Sequence, residues 1–450
     1  MADIKKGLKL EQLKRYHKAY LSHKSNLAVE AAVRNIGIDD AAMNPDVVKE
    51  HDFLFEFECK QGSPTSQKQS GRCWYFAALN SLRQIVMDKL NVESFEFSET
   101  HLYFYDKLEK ANTYLEEMIR LADRDIDDRE LRLLISNTSY DGGFWHYFTG
   151  LCLKYGLVPK QVGPESFHSG NSYMFTKQMD LRLKQCAMAI RKDRAKGNSK
   201  KELRKLKDRC LEDIYNIAVK CLGQPVERFS YCYQDKDKKF HRLDEMSALE
   251  FFEKYVGKDV LKNRIVLVND PRQDREVGRV YRFKTIRNIA DGDAFEALNV
   301  PMDVLTQVCV DSIKDQTPLW FACDVGKDIH RKNGILDTRL YQYDLVCPEL
   351  RHFDREDRFV SEYSAATHAM NLVGLSVDAK GAPLRWKVEN SWGEEFGRKG
   401  IFSMSQEWFE NYTYEVIADP KYVPAKWLKG LEKDPIDCEV WDIAALNRKK

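Results

Sequence analysis

Gln67-Lys68-Gln69-Ser70-Gly71-Arg72-Cys73-Trp74-Tyr75-Phe76-Ala77-Ala78-Leu79-Asn80 is the stretch around which the rest of this chain is organised. It opens polar, carries one glycine and places a cysteine. It then turns apolar at helical spacing through Trp74, Ala77, Ala78, Leu82, Ile85, Val86 and Leu90. That pattern predicts a loop delivering a thiol to the first turn of a buried helix. Helix N-termini present free N–H groups and a partial positive charge, which favours a thiolate over a thiol. A buried structural cysteine is the ordinary alternative, and partners elsewhere in the chain decide between the two.

The bulk numbers bound those partners. At 450 residues the chain has room for about three domain-sized units. Hydrophobic content of 43% and aromatic content of 12% supply a large core. A mean hydropathy of −0.54 and 31% charged residues describe a soluble protein. Lys plus Arg is 71 and Asp plus Glu is 70, a net charge of +1. There is no overall pull toward nucleic acid or anionic membrane. The N-terminus, Met1-Ala2-Asp3-Ile4-Lys5-Lys6, lacks an apolar h-region, and no apolar run is long enough to span a membrane, so a cytoplasmic location is expected. The eleven cysteines are scattered, with no CxxC or zinc-knuckle spacing. Reduced, mostly buried thiols are expected, without a disulfide framework or a structural metal.

Taken in order, residues 1–50 predict a charged helical arm, with helices over Leu8–Ser25 and Leu27–Ile36. Phe53, Phe55 and Phe57 at period two predict a short strand. Ser98 is a candidate N-cap for a helix holding Leu102 to Leu108, with a further helix over Asn112–Ala122. Asp141-Gly142-Gly143 is a turn opening a helix toward Tyr155; paired glycines let backbone approach a ligand closely, and equally they simply turn. Residues 171–305 read as a mostly helical insertion. It begins with two amphipathic helices, Phe175–Ala195 and Lys200–Leu222, rich in Lys and Arg between 191 and 209. A solvated face and a partner or nucleic-acid surface both fit that charge. From Met302 helix and strand alternate, beginning with a helix over Val304–Ile313. Strands at Leu319–Val325, His368–Val377, Leu384–Glu389, Gly400–Met404 and Tyr414–Ile417 suggest an antiparallel sheet, a partial barrel.

Two patterns stand out in that sheet: Thr367-His368-Ala369-Met370-Asn371, and Val388-Glu389-Asn390-Ser391-Trp392-Gly393. A cysteine at a helix N-terminus, a histidine entering an apolar strand and an asparagine form a known arrangement for nucleophilic acyl transfer. The thiolate attacks a carbonyl, and imidazole takes and returns the proton. The amide orients the ring without adding charge.

Gln67 six positions before Cys73, Ser70-Gly71-Arg72-Cys73-Trp74, the Thr367-His368-Ala369-Met370 context and Glu389-Asn390-Ser391-Trp392-Gly393 together resemble the papain superfamily. Within it they look most like the bleomycin hydrolase / aminopeptidase C branch. Arg72 between the glycine and the cysteine, and the 295 positions from Cys73 to His368, fit that branch better than papain itself. Further matches run along the chain, among them Lys154-Tyr155-Gly156, Pro164-Glu165-Ser166 and Val268-Asn269-Asp270-Pro271-Arg272. The resemblance implies an α+β, papain-like two-lobed fold. A helical lobe over 51–170 would carry the cysteine, and an antiparallel β-barrel-like lobe over 306–425 the histidine and asparagine. The insertion at 171–305 and arms at 1–50 and 426–450 complete it. The resemblance implies Cys73 as nucleophile, His368 as acid and base, and Asn390 as orienter. Gln67 and the Cys73 N–H would form the oxyanion hole. Gly142 and Gly143 would line the cleft and pair with substrate backbone, and Trp392 would cover the His–Asn bond. It implies peptide substrates, a thiol-dependent aminopeptidase of broad specificity, no metal or cofactor, and a cytoplasmic homo-hexamer with internal active sites and the basic helices in subunit contact.

One departure matters. In the branch the C-terminal arm folds back into the cleft and ends in a Trp-Asp-Pro-Met-Gly-Ala-Leu-Ala-like segment, whose carboxylate receives the substrate's α-ammonium. Here the end reads Val440-Trp441-Asp442-Ile443-Ala444-Ala445-Leu446-Asn447-Arg448-Lys449-Lys450. The Pro-Met-Gly piece is absent, and the terminal carboxylate belongs to Lys450 beside two further cations. An endopeptidase of the same branch is therefore an alternative. A scaffold binding nucleic acid through the basic helices is another, weakened by the near-neutral total charge.

Overall fold

The Cys73–Leu90 helix begins at the thiol itself, with Arg72 at its N-cap position. Buried residues occupy almost every turn, from Trp74 through Leu79 to Leu90, so this is an internal helix rather than a striped surface one. Asn91, left-handed at φ 54°, ends it and returns its N–H to the Met87 and Asp88 carbonyls. The computed structural model describes residues 7–138, 140–348, 353–442 and 444.

The helix lies against a 12-stranded sheet. Leu319–Cys323 pairs antiparallel with His368–Val377 on one side and with Thr413–Ala418 on the other. His368–Val377 in turn pairs with Pro383–Glu389, and that strand with Ile401–Ser405. The expected antiparallel sheet is present, with parallel pairs added toward its margins. Three contacts tie the helix to it. Asn371 Nδ2 donates to the Ala77 carbonyl at 2.7 Å, and Trp320 Nε1 donates to the Trp74 carbonyl at 3.2 Å. Arg83 on the helix forms a buried ion pair with Glu389. Cys73 is thereby set against the strands that carry His368 and precede Asn390.

Several expectations need correction. The segment 171–305 is helical over Tyr173–Ala195 and Lys200–Leu222, but its later part extends the sheet. Ile265–Val268 pairs with Glu415–Ala418, and Val280–Phe283 pairs with Phe295–Asn299. Strands of four or five residues with little polar alternation lack the period-two signal. Residues 99–120 form one 22-residue helix rather than two. Asn112 and Thr113 are weak helix formers, but neither breaks a helix, and packing overrides so small a propensity. Ser98 does cap it, accepting the His101 N–H at 3.1 Å. Of Phe53, Phe55 and Phe57 only Phe57 enters a strand, paired with Leu375; Phe53 is left-handed at φ 63° and turns the chain. The two N-terminal helices are Leu10–Leu21 and Lys24–Ile36, neither with a buried residue.

The expectation of reduced thiols fails at one place: Cys186 and Cys210 are joined by a disulfide. Both are buried where the two helices of the 173–222 hairpin face each other, a pairing set by the hairpin rather than by sequence spacing. Part of the basic face is also spoken for. Arg194 pairs with Asp123 at 2.6 Å, and Lys207 and Arg204 pair with Glu116 at 2.7 and 3.1 Å. Among the described residues no helix is long and apolar enough to cross a membrane.

Candidate active site

Cys73 is half-buried at the first residue of its helix. Burial pushes its thiol up to about 11, opposed by the nearby backbone N–H groups of Ala369, Trp74 and Cys73, which favour the thiolate. Ala369, the strand residue after His368, lines the same cavity as the nucleophile. The loop before the thiol is held from below. Fully buried Arg72 forks onto Glu165, at 3.1 and 2.8 Å, and its Nε donates to Ser70 Oγ at 2.9 Å. Such a bidentate guanidinium–carboxylate pair fixes orientation as well as charge.

Gln67 is buried beside it, and both ends of its amide are specified. Nε2 donates to the Ser70 carbonyl at 2.6 Å, and Oε1 accepts from Ser391 Oγ at 2.7 Å. A carbonyl can only accept, so the amide nitrogen must face Ser70, which leaves a second N–H for the cleft. Its backbone N–H reaches the Ser391 carbonyl at 2.8 Å, so Gln67 bridges the thiol loop to the residue after Asn390.

The same logic sets the histidine's tautomer. His368 Nε2 lies 2.9 Å from Asn390 Oδ1, and the Ser391 backbone N–H donates to that same oxygen at 2.7 Å. A backbone N–H is always a donor, so the shared atom is the amide oxygen and Nε2 carries the proton. Nδ1 is then the free base. Burial pushes His368 down to about 4; the Asn390 bond raises it and the Arg331 charge lowers it. Trp392 packs against the imidazole at a tilt of 39°, ring centroids 5.0 Å apart, with the Arg331 guanidinium 5.0 Å from the indole. Trp392 therefore covers the His368 side of the site and is not part of the cleft wall.

The cleft has a volume of about 290 Å³ and is walled by Gln67, Cys73, Gly142, Gly143 and His368 among others. A Cβ at Gly143 would fall 2.4 Å from the Trp74 ring, whereas one at Gly142 would meet nothing closer than the Tyr140 ring at 3.6 Å. The Gly142 carbonyl accepts from Lys110 Nζ at 2.6 Å, which uses one of its two lone pairs. Asp141 anchors the turn. It accepts from the Gly71 N–H at 3.1 Å, Tyr103 OH at 2.8 Å and Lys107 Nζ at 2.6 Å. Burial would raise its carboxyl, but the Lys107 ammonium and these donors hold it well below the usual range. Sequence reasoning missed Arg72's partner Glu165 and the buried Asp106, Lys107 and Lys110. Their signal was faint: charges at i, i+4 on the face of an otherwise apolar helix. Among the described residues no His, Cys, Asp or Glu cluster is arranged to hold a metal.

Lys450 lies outside the described residues. Of the arm before it, residues 426–442 and 444 are described. Trp441 stacks under Arg129 at 4.5 Å. Asp442 sits between Arg272, at 3.1 Å, and Arg275. Ala444 lines a second cavity that shares Ala366 with the cleft.

Residues 7–445 match the model of the Peptidase C1-like family. The chain is 35% identical over 435 residues to aminopeptidase C of Listeria monocytogenes, covering 97% of this chain and 98% of that protein. It is 36% identical over 411 residues to human bleomycin hydrolase, covering 90% of each. The crystal structure of PepW from Lactobacillus rhamnosis superposes with a TM-score of 0.93 at 33% identity, covering 97% of this chain and 98% of that one. With the match spanning nearly its whole length and its thiol, imidazole and amide gathered in one papain-like cleft, the chain belongs to the Peptidase C1-like family of cysteine peptidases.

Proposed function

We propose that this protein is an aminopeptidase that cleaves peptide bonds through an acyl-enzyme on Cys73. The observation that carries the reading is the His368 Nε2–Asn390 Oδ1 bond of 2.9 Å. It leaves Nδ1 unprotonated on a ring that lines the same cavity as Cys73. Burial opposes a charge on either group alone. Moving the thiol proton to Nδ1 creates thiolate and imidazolium together, and their attraction in a low-dielectric cleft offsets the cost.

In this mechanism the Cys73 sulfur attacks the scissile carbonyl carbon. The remaining Gln67 Nε2–H and the Cys73 N–H receive the oxygen as it gains charge, where donors already in place act without reorganisation. The tetrahedral adduct collapses, the C–N bond breaks, and imidazolium returns its proton to the leaving amine. Water, deprotonated by the same Nδ1, then attacks the thioester and frees Cys73. Asn390 keeps the ring in register through both halves. Trp392 keeps water off the His–Asn bond.

The names of the full-length relatives support removal of N-terminal residues. The absent Pro-Met-Gly piece and the cationic end after Leu446 favour an endopeptidase as the second reading. Cys73→Ala should abolish hydrolysis of aminoacyl-amide reporters, and unchanged turnover would sink the proposal. Comparable cleavage of free and N-acetylated versions of one peptide would replace aminopeptidase with endopeptidase.

A further inference from the structure

Arg72 takes no part in the chemistry above. It is 0% exposed, and neither it nor Glu165 borders the cleft. It is nevertheless bonded to the turn that carries Gln67. That turn is strained: Lys68 is left-handed at φ 51°, a conformation disfavoured for a residue with a Cβ and kept only where contacts hold it. Ser70 supplies two such contacts. Its carbonyl accepts from Gln67 Nε2 at 2.6 Å, and its hydroxyl lies 2.6 Å from the Gln67 carbonyl. Arg72 Nε lies 2.9 Å from the same hydroxyl. A guanidinium N–H can only donate, so the hydroxyl oxygen accepts from Arg72 and its own proton goes to the Gln67 carbonyl. The direction of each bond is thereby fixed, from Arg72 through Ser70 to Gln67.

Arg72 is itself held on its remaining sides. Its two terminal nitrogens meet the two carboxylate oxygens of Glu165 at 3.1 and 2.8 Å. Its guanidinium carbon lies 5.2 Å from the Phe76 ring centroid and 5.3 Å from that of Tyr103. Glu165 is anchored in turn by Lys160 at 3.0 Å, Thr100 at 3.2 Å and Ser169. Burial would raise its carboxyl, but the Arg72 and Lys160 charges and the Ser169 hydroxyl hold it down at about 2, so the pair stays charged at neutral pH. Phe76 belongs to the thiol helix, and Thr100 and Tyr103 to the Glu99–Arg120 helix. The Gln67 turn is thus referred to two buried helices through one planar side chain. A lysine would keep the charge, but a single ammonium cannot fork onto a carboxylate and reach Ser70 in one plane.

We infer that Arg72 is a positioning residue for the oxyanion hole: through Ser70 it fixes where the remaining Gln67 Nε2–H lies. This role presupposes the peptidase reading above. A donor that is in place before charge develops acts in the transition state, so a turn free to drift costs turnover rather than substrate affinity. The test uses the full-length protein, an aminoacyl-amide reporter and iodoacetamide, whose reaction with Cys73 forms no oxyanion; alkylation is followed by mass mapping of the Cys73 peptide. Arg72→Lys is expected to lower kcat by about tenfold or more with KM within about twofold, short of the roughly 100- to 1,000-fold that loss of a whole donor costs. Ser70→Ala, which removes the linking hydroxyl, should do the same and serves if the lysine variant does not fold. In a Gln67→Ala background either change should cost less than about twofold, because the donor being positioned is gone. Cys73 alkylation in Arg72→Lys and Ser70→Ala should stay within about twofold of wild type. Undiminished kcat in a folded variant, a loss of full size in the Gln67→Ala background, or a matching fall in alkylation overturns the inference; the last would place the action of Arg72 on the thiol–imidazole pair. Cys73→Ala separates the two ideas. If it hydrolyses the reporter like wild type, the peptidase reading fails; if it is inert and one of those three results is found, the role of Arg72 alone is wrong.

Discussion

His101 and His368 are both buried, and burial pushes both imidazoles down to about 4. Their partners give them different work. His368 meets a neutral amide and keeps a base facing the cleft. His101 Nε2 lies 3.2 Å from the Tyr155 carbonyl and does nothing but stay neutral. A histidine whose folded value lies below its ordinary 6.5 binds no proton in a range where the unfolded chain binds one. The stability it contributes is whole above pH 6.5 and is lost as pH falls toward 4, on the order of 3 kcal/mol across that window. Urea midpoints measured between about pH 7 and 4.5 should fall for wild type, and His101→Gln should flatten the slope. An equally steep fall in the variant would remove His101 from the acid response.

Gly142 and Gly143 stand next to each other yet answer to different constraints. The Gly143 position sits against the Trp74 ring on the Cys73 helix, so a methyl there must move the helix or the turn. Gly143→Ala should cost about 1–3 kcal/mol by overpacking, and it should lower turnover because Trp74 adjoins the thiol. Gly142→Ala should stay within about 0.5 kcal/mol in stability. Thermal midpoints of the two variants decide it, and equal shifts would contradict the packing argument. The doublet's spacing alone left a turn and a ligand approach equally open; the packed indole separates them. The register shift between Thr413 and Glu415 against the Leu319–Cys323 strand is likewise invisible in the string Thr413-Tyr414-Glu415-Val416, because register depends on which strand lies alongside.

Across the whole molecule, the site exists only where helix and sheet are held together, and Arg83–Glu389 is the charged contact that joins them. Arg83 also donates to the Ser63 carbonyl at 2.7 Å. Removing one partner leaves the other charge buried alone, so Arg83→Met should cost about 3–5 kcal/mol. Adding Glu389→Leu should recover much of that loss, since neither charge is then uncompensated. Denaturant unfolding of the two single variants and the double variant gives the coupling. Additive losses would show that the pair does not act as a unit.

The thiol helix, its polar entry loop, the Ser98 cap and the His368 and Asn390 strands were legible in the sequence. Caps, apolar runs and motif spacing are written by residues close along the chain. The resemblance to the aminopeptidase C branch supplied their grouping, and the structure places Cys73, His368 and Gln67 around one cavity, with Asn390 bonded to the His368 ring. Only the tertiary structure decided the rest. Asp106, Lys107 and Lys110 are buried by the residues packed around their helix, which their own positions along it do not reveal. Arg72 finds Glu165 93 positions away, and Cys186 finds Cys210 because two helices turn back on each other. The short strands between 265 and 299 join the sheet through partners more than a hundred residues later or through one another. Burial and register are properties of what lies alongside, and the chain's own order does not contain them.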